Sequence, residues 1–279
     1  MSKPLLVALL MVLFFTNCKS QSLDSLVLLV KDIQRGENDS VRIASNEKFL
    51  IGFEKILLQK ESFVRNFDSL KNVSIQSPDD NKFRIFTWTV PHYDGDVYDY
   101  YGFIQLKTDK DTILIRLNDS TKVIKKPESE KLSHDRWLGA VYYAIEEIKK
   151  SGKTYYTLLG WKGKDRMQTQ KVIEILYIND NRIKFGFPII KTGSIFRNRM
   201  IFSFNAQASM TLHFDKKYNG IVFDHFDSKN NDSSGLNGPD GTYDALKNQK
   251  GKWVLFHDVK ASTKWEPKEP HLSPPVKKD

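Results

Sequence analysis

Residues Met200–Asp215 read MIFSFNAQASMTLHFD, and this stretch decides the fold. Every even position is apolar: Met200, Phe202, Phe204, Ala206, Ala208, Met210, Leu212 and Phe214. After Ile201 every odd position is polar, from Ser203 to His213 and Asp215. Side chains alternate across a strand, so the pattern predicts one dry face and one wet face. A helix would scatter the same residues around its circumference. A straight strand of this length would run about 50 Å, which is long against the usual range. The small residues Ala206 and Ala208 therefore mark an expected bend, with the parity kept through it. The implied context is a large antiparallel sheet with one solvated face, a sandwich or a partly open barrel.

The strands on either side fit that frame. Phe83–Val90 (FRIFTWTV) reads as a strand, followed by the loop Pro91–Asp99. Gly102–Lys107 and Thr112–Leu117 read as a hairpin across residues 109–111. Lys153–Trp161 (KTYYTLLGW) is bulky on both faces, which predicts a central strand covered twice. Lys171–Ile178 and Arg182–Phe187 read as a hairpin across Asn179-Asp180-Asn181. Asn219-Gly220 is a strong turn signal leading to a return strand, Ile221–Phe226. The last strand is Lys252–Asp258. Two helices precede the sheet: Leu23–Ile33, and a second one capped by Asp39 or Ser40 and ending near Lys60. A covering helix is expected over 134–150, capped by Ser133. Its stripe is Trp137, Val141, Ala144, Ile145 and Ile148, with Gly152 as its C-terminal cap. The reading is an α+β chain: helical segment 21–75, β-rich domain 76–260, and a disordered proline- and lysine-rich tail, 261–279.

The N-terminus reads as an export signal. Lys3 supplies positive charge, and Leu5 to Phe15 form an apolar run of signal-peptide length, too short for a bilayer span. Cys18, the single cysteine of the 279 residues, follows directly. The stretch FFTNC resembles a bacterial lipoprotein signal, in which the cysteine becomes the lipidated first residue. Ordinary cleavage after Ser20 is the rival. The expected place is the periplasm or outer membrane, with membrane contact only through a lipid anchor. The net charge is +9, but the lysines are spread along the chain and no nucleic-acid motif accompanies them.

Candidate chemistry is thin. The loop His92-Tyr93-Asp94-Gly95-Asp96-Val97-Tyr98-Asp99 alternates acids around a glycine, as a hard cation would want, but lacks a closing glutamate. The stretch Asp232–Asp244 (DSSGLNGPDGTYD) is explained by turn chemistry at Gly238-Pro239-Asp240-Gly241; a metal or sugar site is its sharper reading. His213, Asp224 and His225 lie on the expected hairpin and offer His/Asp pairs for acid–base work. Asp224 and His225 are neighbours on a strand, so they face opposite sides. Nucleotide-binding, zinc-protease and serine-hydrolase motifs are absent, and no cofactor is implied. The ligand-binding candidates are thus His92, Tyr93, Asp94, Asp96, His213, Asp224, His225 and Asp240.

FRIFTWTV, YYTLLGWKGKD, ASMTLHFD and GPDGTYDALKNQKGKWVLFHDV together resemble a family of exported proteins from Bacteroidota-type bacteria. The resemblance spans roughly Asp39 to Asp258 and implies no activity and no catalytic residues. Two functions remain in view. One is a non-enzymatic envelope module for an unknown ligand or protein. The other is a hydrolase using the His and Asp residues of the hairpin, which would have to converge in one concave pocket.

Overall fold

The computed structural model describes residues 22–93, 97–108, 112–225 and 241–260. The chain is α+β: two α-helices followed by antiparallel sheets that stay open. Helix α1 is Leu23–Arg35, capped by Ser22. Helix α2 is Asp39–Leu57, and its cap is Asn38, one residue earlier than expected, whose side chain accepts from Val41 N at 3.0 Å. Strands β1 (Ser74–Gln76), β2 (Phe83–Pro91), β3 (Tyr98–Lys107) and β4 (Thr112–Asn118) form a first sheet in that order. Next come β5 (Leu132–Ser133), β6 (Val141–Lys150), β7 (Lys153–Gly163), β8 (Gln168–Asn179) and β9 (Arg182–Phe185). Together they make a second sheet in the order β5-β9-β8-β7-β6. The remaining strands are β10 (Ile190–Thr192), β11 (Ile195–Arg197), β12 (Arg199–Asn205), β13 (Leu212–Asp215), β14 (Gly220–Asp224), β15 (Tyr243–Asn248) and β16 (Trp253–Phe256). All of these except β12 form a third sheet, ordered β11-β10-β16-β15-β14-β13. Its β10–β16 pairing is parallel.

Side-chain alternation stacks these parts into four layers. On β2, Phe86, Trp88 and Val90 pack under the helices with Phe49 and Phe53, while Phe83 and Ile85 face the second sheet. Every residue of β2 is buried as a result. On β7, Tyr156 and Leu158 face the first sheet, and Tyr155 and Leu159 face the third. The doubly covered strand expected at 153–161 is therefore the middle of the molecule. Buried indole N–H groups find acceptors, as burial demands: Trp88 Nε1 donates to Asn46 Oδ1 at 2.8 Å, and Trp253 Nε1 to Thr157 Oγ1 at 2.8 Å.

The stretch 200–215 serves two sheets, and its alternation lapses at the bend, where Ala206 is exposed. Its first half is β12, paired with β8 of the second sheet; its second half is β13, paired with β14 of the third. Between them Ala208 N donates to Asn205 O at 2.9 Å, closing a turn at the expected bend. Phe204, Met210 and Leu212 are in the core between the two sheets, and Phe202 and Phe214 pack against it. Ser203 and Gln207 are exposed. A chain that crosses between facing sheets at a bend turns a corner of the sandwich.

Two expectations are corrected. His213 does not face solvent; it is buried, opposite Val222, which with Ala245 is itself fully buried. That hairpin has no wet face there. The covering helix is also absent: 141–150 is β6, running antiparallel to β7. Its pairing shifts between Tyr142 and Ala144, a β-bulge that turns both Tyr143 and Ala144 toward the third sheet. One inserted residue in a strand apolar on both faces produces the 141, 144–145, 148 spacing of a helix. Ser151 and Gly152 have φ of 50° and 73°, the signature of a tight hairpin turn and not of a helix cap. Trp137 and Ile148 are buried as expected, but not from a helix.

Candidate functional site

The ends of β14, β15 and β16 build a cluster of three donor side chains. The β14–β15 ladder puts Asp224 opposite Tyr243 and Phe223 opposite Asp244, and His225 N continues it to Thr242 O at 2.9 Å. The β15–β16 ladder ends at Ala245 opposite Phe256, so His257 comes out beside Asp244. Parity then places His225, Asp244 and His257 on one face. His225 Nδ1 lies 2.9 Å and His257 Nδ1 3.0 Å from the same Asp244 Oδ2. The rings meet edge to face with centroids 5.9 Å apart. Asp258 N donates to the other carboxylate oxygen, Asp244 Oδ1, at 3.3 Å. Asp258 takes a φ of 54°, and Val259 N rejoins the ladder at Tyr243 O.

Burial grades across the cluster. The Asp244 side chain is 6% exposed, His225 30% and His257 60%. A desolvated carboxylate costs free energy unless it accepts hydrogen bonds, and here it takes three. An ionised carboxylate only accepts, so each ring presents its Nδ1–H to Asp244, and in the neutral tautomer that does so Nε2 is the acceptor nitrogen. The arrangement supports two kinds of chemistry. Three converging donors can hold a cation, and a carboxylate-oriented imidazole can take a proton at Nε2. Among the described residues this is the group of three His, Asp or Glu side chains close enough to share a metal ion.

The other sequence candidates are dispersed. His92 Nε2 pairs with Asp99 Oδ2 at 3.0 Å, and its Nδ1 lies 3.4 Å from Asp39 Oδ2 on α2. Tyr93 is exposed, with its N donating to Asp39 Oδ1 at 2.5 Å. His213 Nε2 is 3.8 Å from Asp215 Oδ2. Burial pushes its pKa down, against the pull of Asp215. Asp224 turns away from His225, as strand geometry requires, and accepts from Thr211 N at 2.6 Å. Asp94, Asp96, Asp240 and Cys18 lie outside the described residues. Asp244 and His257 were not singled out from the sequence. Each sat in a quoted stretch, the end of DSSGLNGPDGTYD and the end of KWVLFHD, but β15 carries too little alternation to announce the pairing that joins them.

Elsewhere a cleft of about 380 Å³ opens beside the ends of β3 and β4, lined by Tyr100, Tyr101, Arg116, Asp119 and Lys122 among others. Behind it Lys162 is buried, with Nζ donating to Gly139 O at 2.7 Å and Thr121 Oγ1 at 2.8 Å, 4.2 Å from the Tyr100 ring centre. Burial lowers its pKa to about 8, with Asp119 opposing.

No family model, no curated protein and no solved structure matches the chain.

Proposed function

We propose that this chain is an exported cell-envelope protein that acts as a binding module, tethered to a membrane through a lipid on Cys18. The export half rests on Lys3, the apolar run Leu5 to Phe15 and the cysteine directly after it. Its resemblance to exported Bacteroidota-type proteins belongs to the same proposal. No helix among the described residues is long and apolar enough to cross a membrane.

One observation carries the binding half. Among the described residues, the histidines singled out for a hairpin hydrolase do not meet one another: His92 pairs near α2, His213 with Asp215, and His225 with Asp244. A catalytic constellation must meet around one substrate atom. The cleft at Tyr100 and Tyr101 instead offers aromatic rings beside mixed charge, a surface suited to holding a polar ligand.

The test is fractionation of cells expressing the wild type or Cys18→Ala, together with assays on a panel of esterase, peptidase and glycosidase substrates. The expected outcome is wild type in the membrane fraction, the variant released, and no turnover. A mature chain that begins at Gln21 without lipid overturns the tether. Turnover lost in His225→Ala overturns the binding reading.

A further inference from the structure

We propose that His225, Asp244 and His257 form a binding site for one divalent first-row transition metal ion of the zinc type. The site is independent of whether the chain is exported.

The donor set selects the ion class. Two imidazoles and one carboxylate suit zinc, nickel, cobalt or iron. Calcium wants six to eight oxygens and magnesium an octahedron of oxygens, and neither is on offer here. The geometry is close to that of a loaded site. The ligand atoms all lie within 4.8 Å of one another, and each Nδ1 is 2.9–3.0 Å from Oδ2. Around a tetrahedral zinc with bonds of about 2.05 Å, ligand atoms sit about 3.3 Å apart. The two N–O separations need to widen by about 0.3–0.4 Å, and the two ring nitrogens, within 4.8 Å of each other, must settle at the same spacing of about 3.3 Å.

Proton accounting is equally simple. In the neutral tautomer that faces Asp244, each ring keeps its Nδ1 proton and donates it in a hydrogen bond to Oδ2. When the ion enters, that proton shifts to Nε2, and the Nδ1 lone pair binds the metal. No net proton need leave either ring. Asp258 N, donating to Asp244 Oδ1, already orients the carboxylate in the way outer hydrogen bonds orient metal ligands. The burial gradient from Asp244 to the exposed His257 leaves the solvent side open for water or a small ligand to complete the coordination.

The experiment is isothermal titration of the full-length protein, purified without a polyhistidine tag, with ZnCl2, MgCl2 and CaCl2. The variants are His225→Ala and His257→Ala, with folding checked by circular dichroism. His257 is largely exposed, so its replacement leaves the core intact. The expected result is one zinc per chain, at least tenfold weaker binding in each variant, and no binding of magnesium or calcium at the same concentrations. Zinc should raise the melting temperature of the wild type and not of the variants. No zinc binding, or a less than threefold change in both variants, overturns the site; the second result would place the ion elsewhere, such as at His92.

Discussion

Replacing Glu174 by Gln should remove a large part of this protein's stability. Glu174 on β8 and Arg199 on β12 are both fully buried, with Nε and Oε2 2.6 Å apart. The pair does more than neutralise itself. Arg199 Nη1 donates to Glu130 O at 2.8 Å and also to Pro127 O, so it pins the 127–130 connection to the second sheet. Glu174 Oε1 accepts from Ile175 N at 2.9 Å. Burial raises the Glu174 carboxyl pKa, and the guanidinium beside it opposes that rise. A glutamine keeps the shape but leaves Arg199 as a buried cation without a counter-charge, which typically costs about 3–5 kcal/mol. Against a total stability of about 5–15 kcal/mol that is a large fraction. In a domain this size it corresponds to a fall in melting temperature on the order of 10 °C. Urea unfolding followed by tryptophan fluorescence measures it. The double variant Glu174→Gln/Arg199→Met, which removes both charges, should recover part of the loss. Two results refute the reasoning: a single variant within about 1 kcal/mol of wild type, or a double variant showing the plain sum of two single losses.

Two further outcomes follow from the layering. Phe204→Asp should unfold the chain, whereas the neighbouring Ser203→Asp, on the exposed face of β12, should stay within about 1 kcal/mol by chemical denaturation; equal damage from both would show that β12 is covered on both sides. Lys162 gives a pH signature. Its folded pKa of about 8 is below the ordinary lysine value of 10.5, so the folded chain binds fewer protons across that window and stability rises with pH there. At about 1.4 kcal/mol per pH unit, the stability difference between wild type and Lys162→Met should move by about 3 kcal/mol in favour of wild type from pH 7.5 to 10.5; a flat difference would show that Lys162 titrates normally.

Local alternation carried most of the fold. FRIFTWTV and KTYYTLLGW read correctly because strand parity is a property of consecutive residues, and burial on both faces leaves apolar or paired groups at every position. The alternation of Phe202, Ser203 and Phe204 was legible for the same reason. That the halves of 200–215 serve different sheets was not, because partner choice depends on β8 and β14, far away in sequence. Residues 141–150 misled through their bulge at Tyr143: a strand with one extra residue and two apolar faces imitates a 3.6 period. His213 misled because alternation reports polarity, and here a polar side chain sits opposite the buried Val222. Gly220 shows the same limit. As half of Asn-Gly it signalled a turn, yet it lies in β14, where an added Cβ would fall 2.2 Å from Leu246 O, so glycine is required by packing between strands. At the candidate site only His225 was legible. Asp244 and His257 join it through the β14–β15 and β15–β16 registers, and no spacing rule links residues 19 and 32 positions away across two strand pairings.

The most direct measurement of the central claim is anomalous diffraction at the zinc absorption edge, from crystals of the untagged protein grown with zinc. One strong peak is predicted about 2.0–2.2 Å from Nδ1 of His225, Nδ1 of His257 and a carboxylate oxygen of Asp244. A map with no peak among these three side chains, or with its strongest peak at His92 and Asp99, would contradict the account.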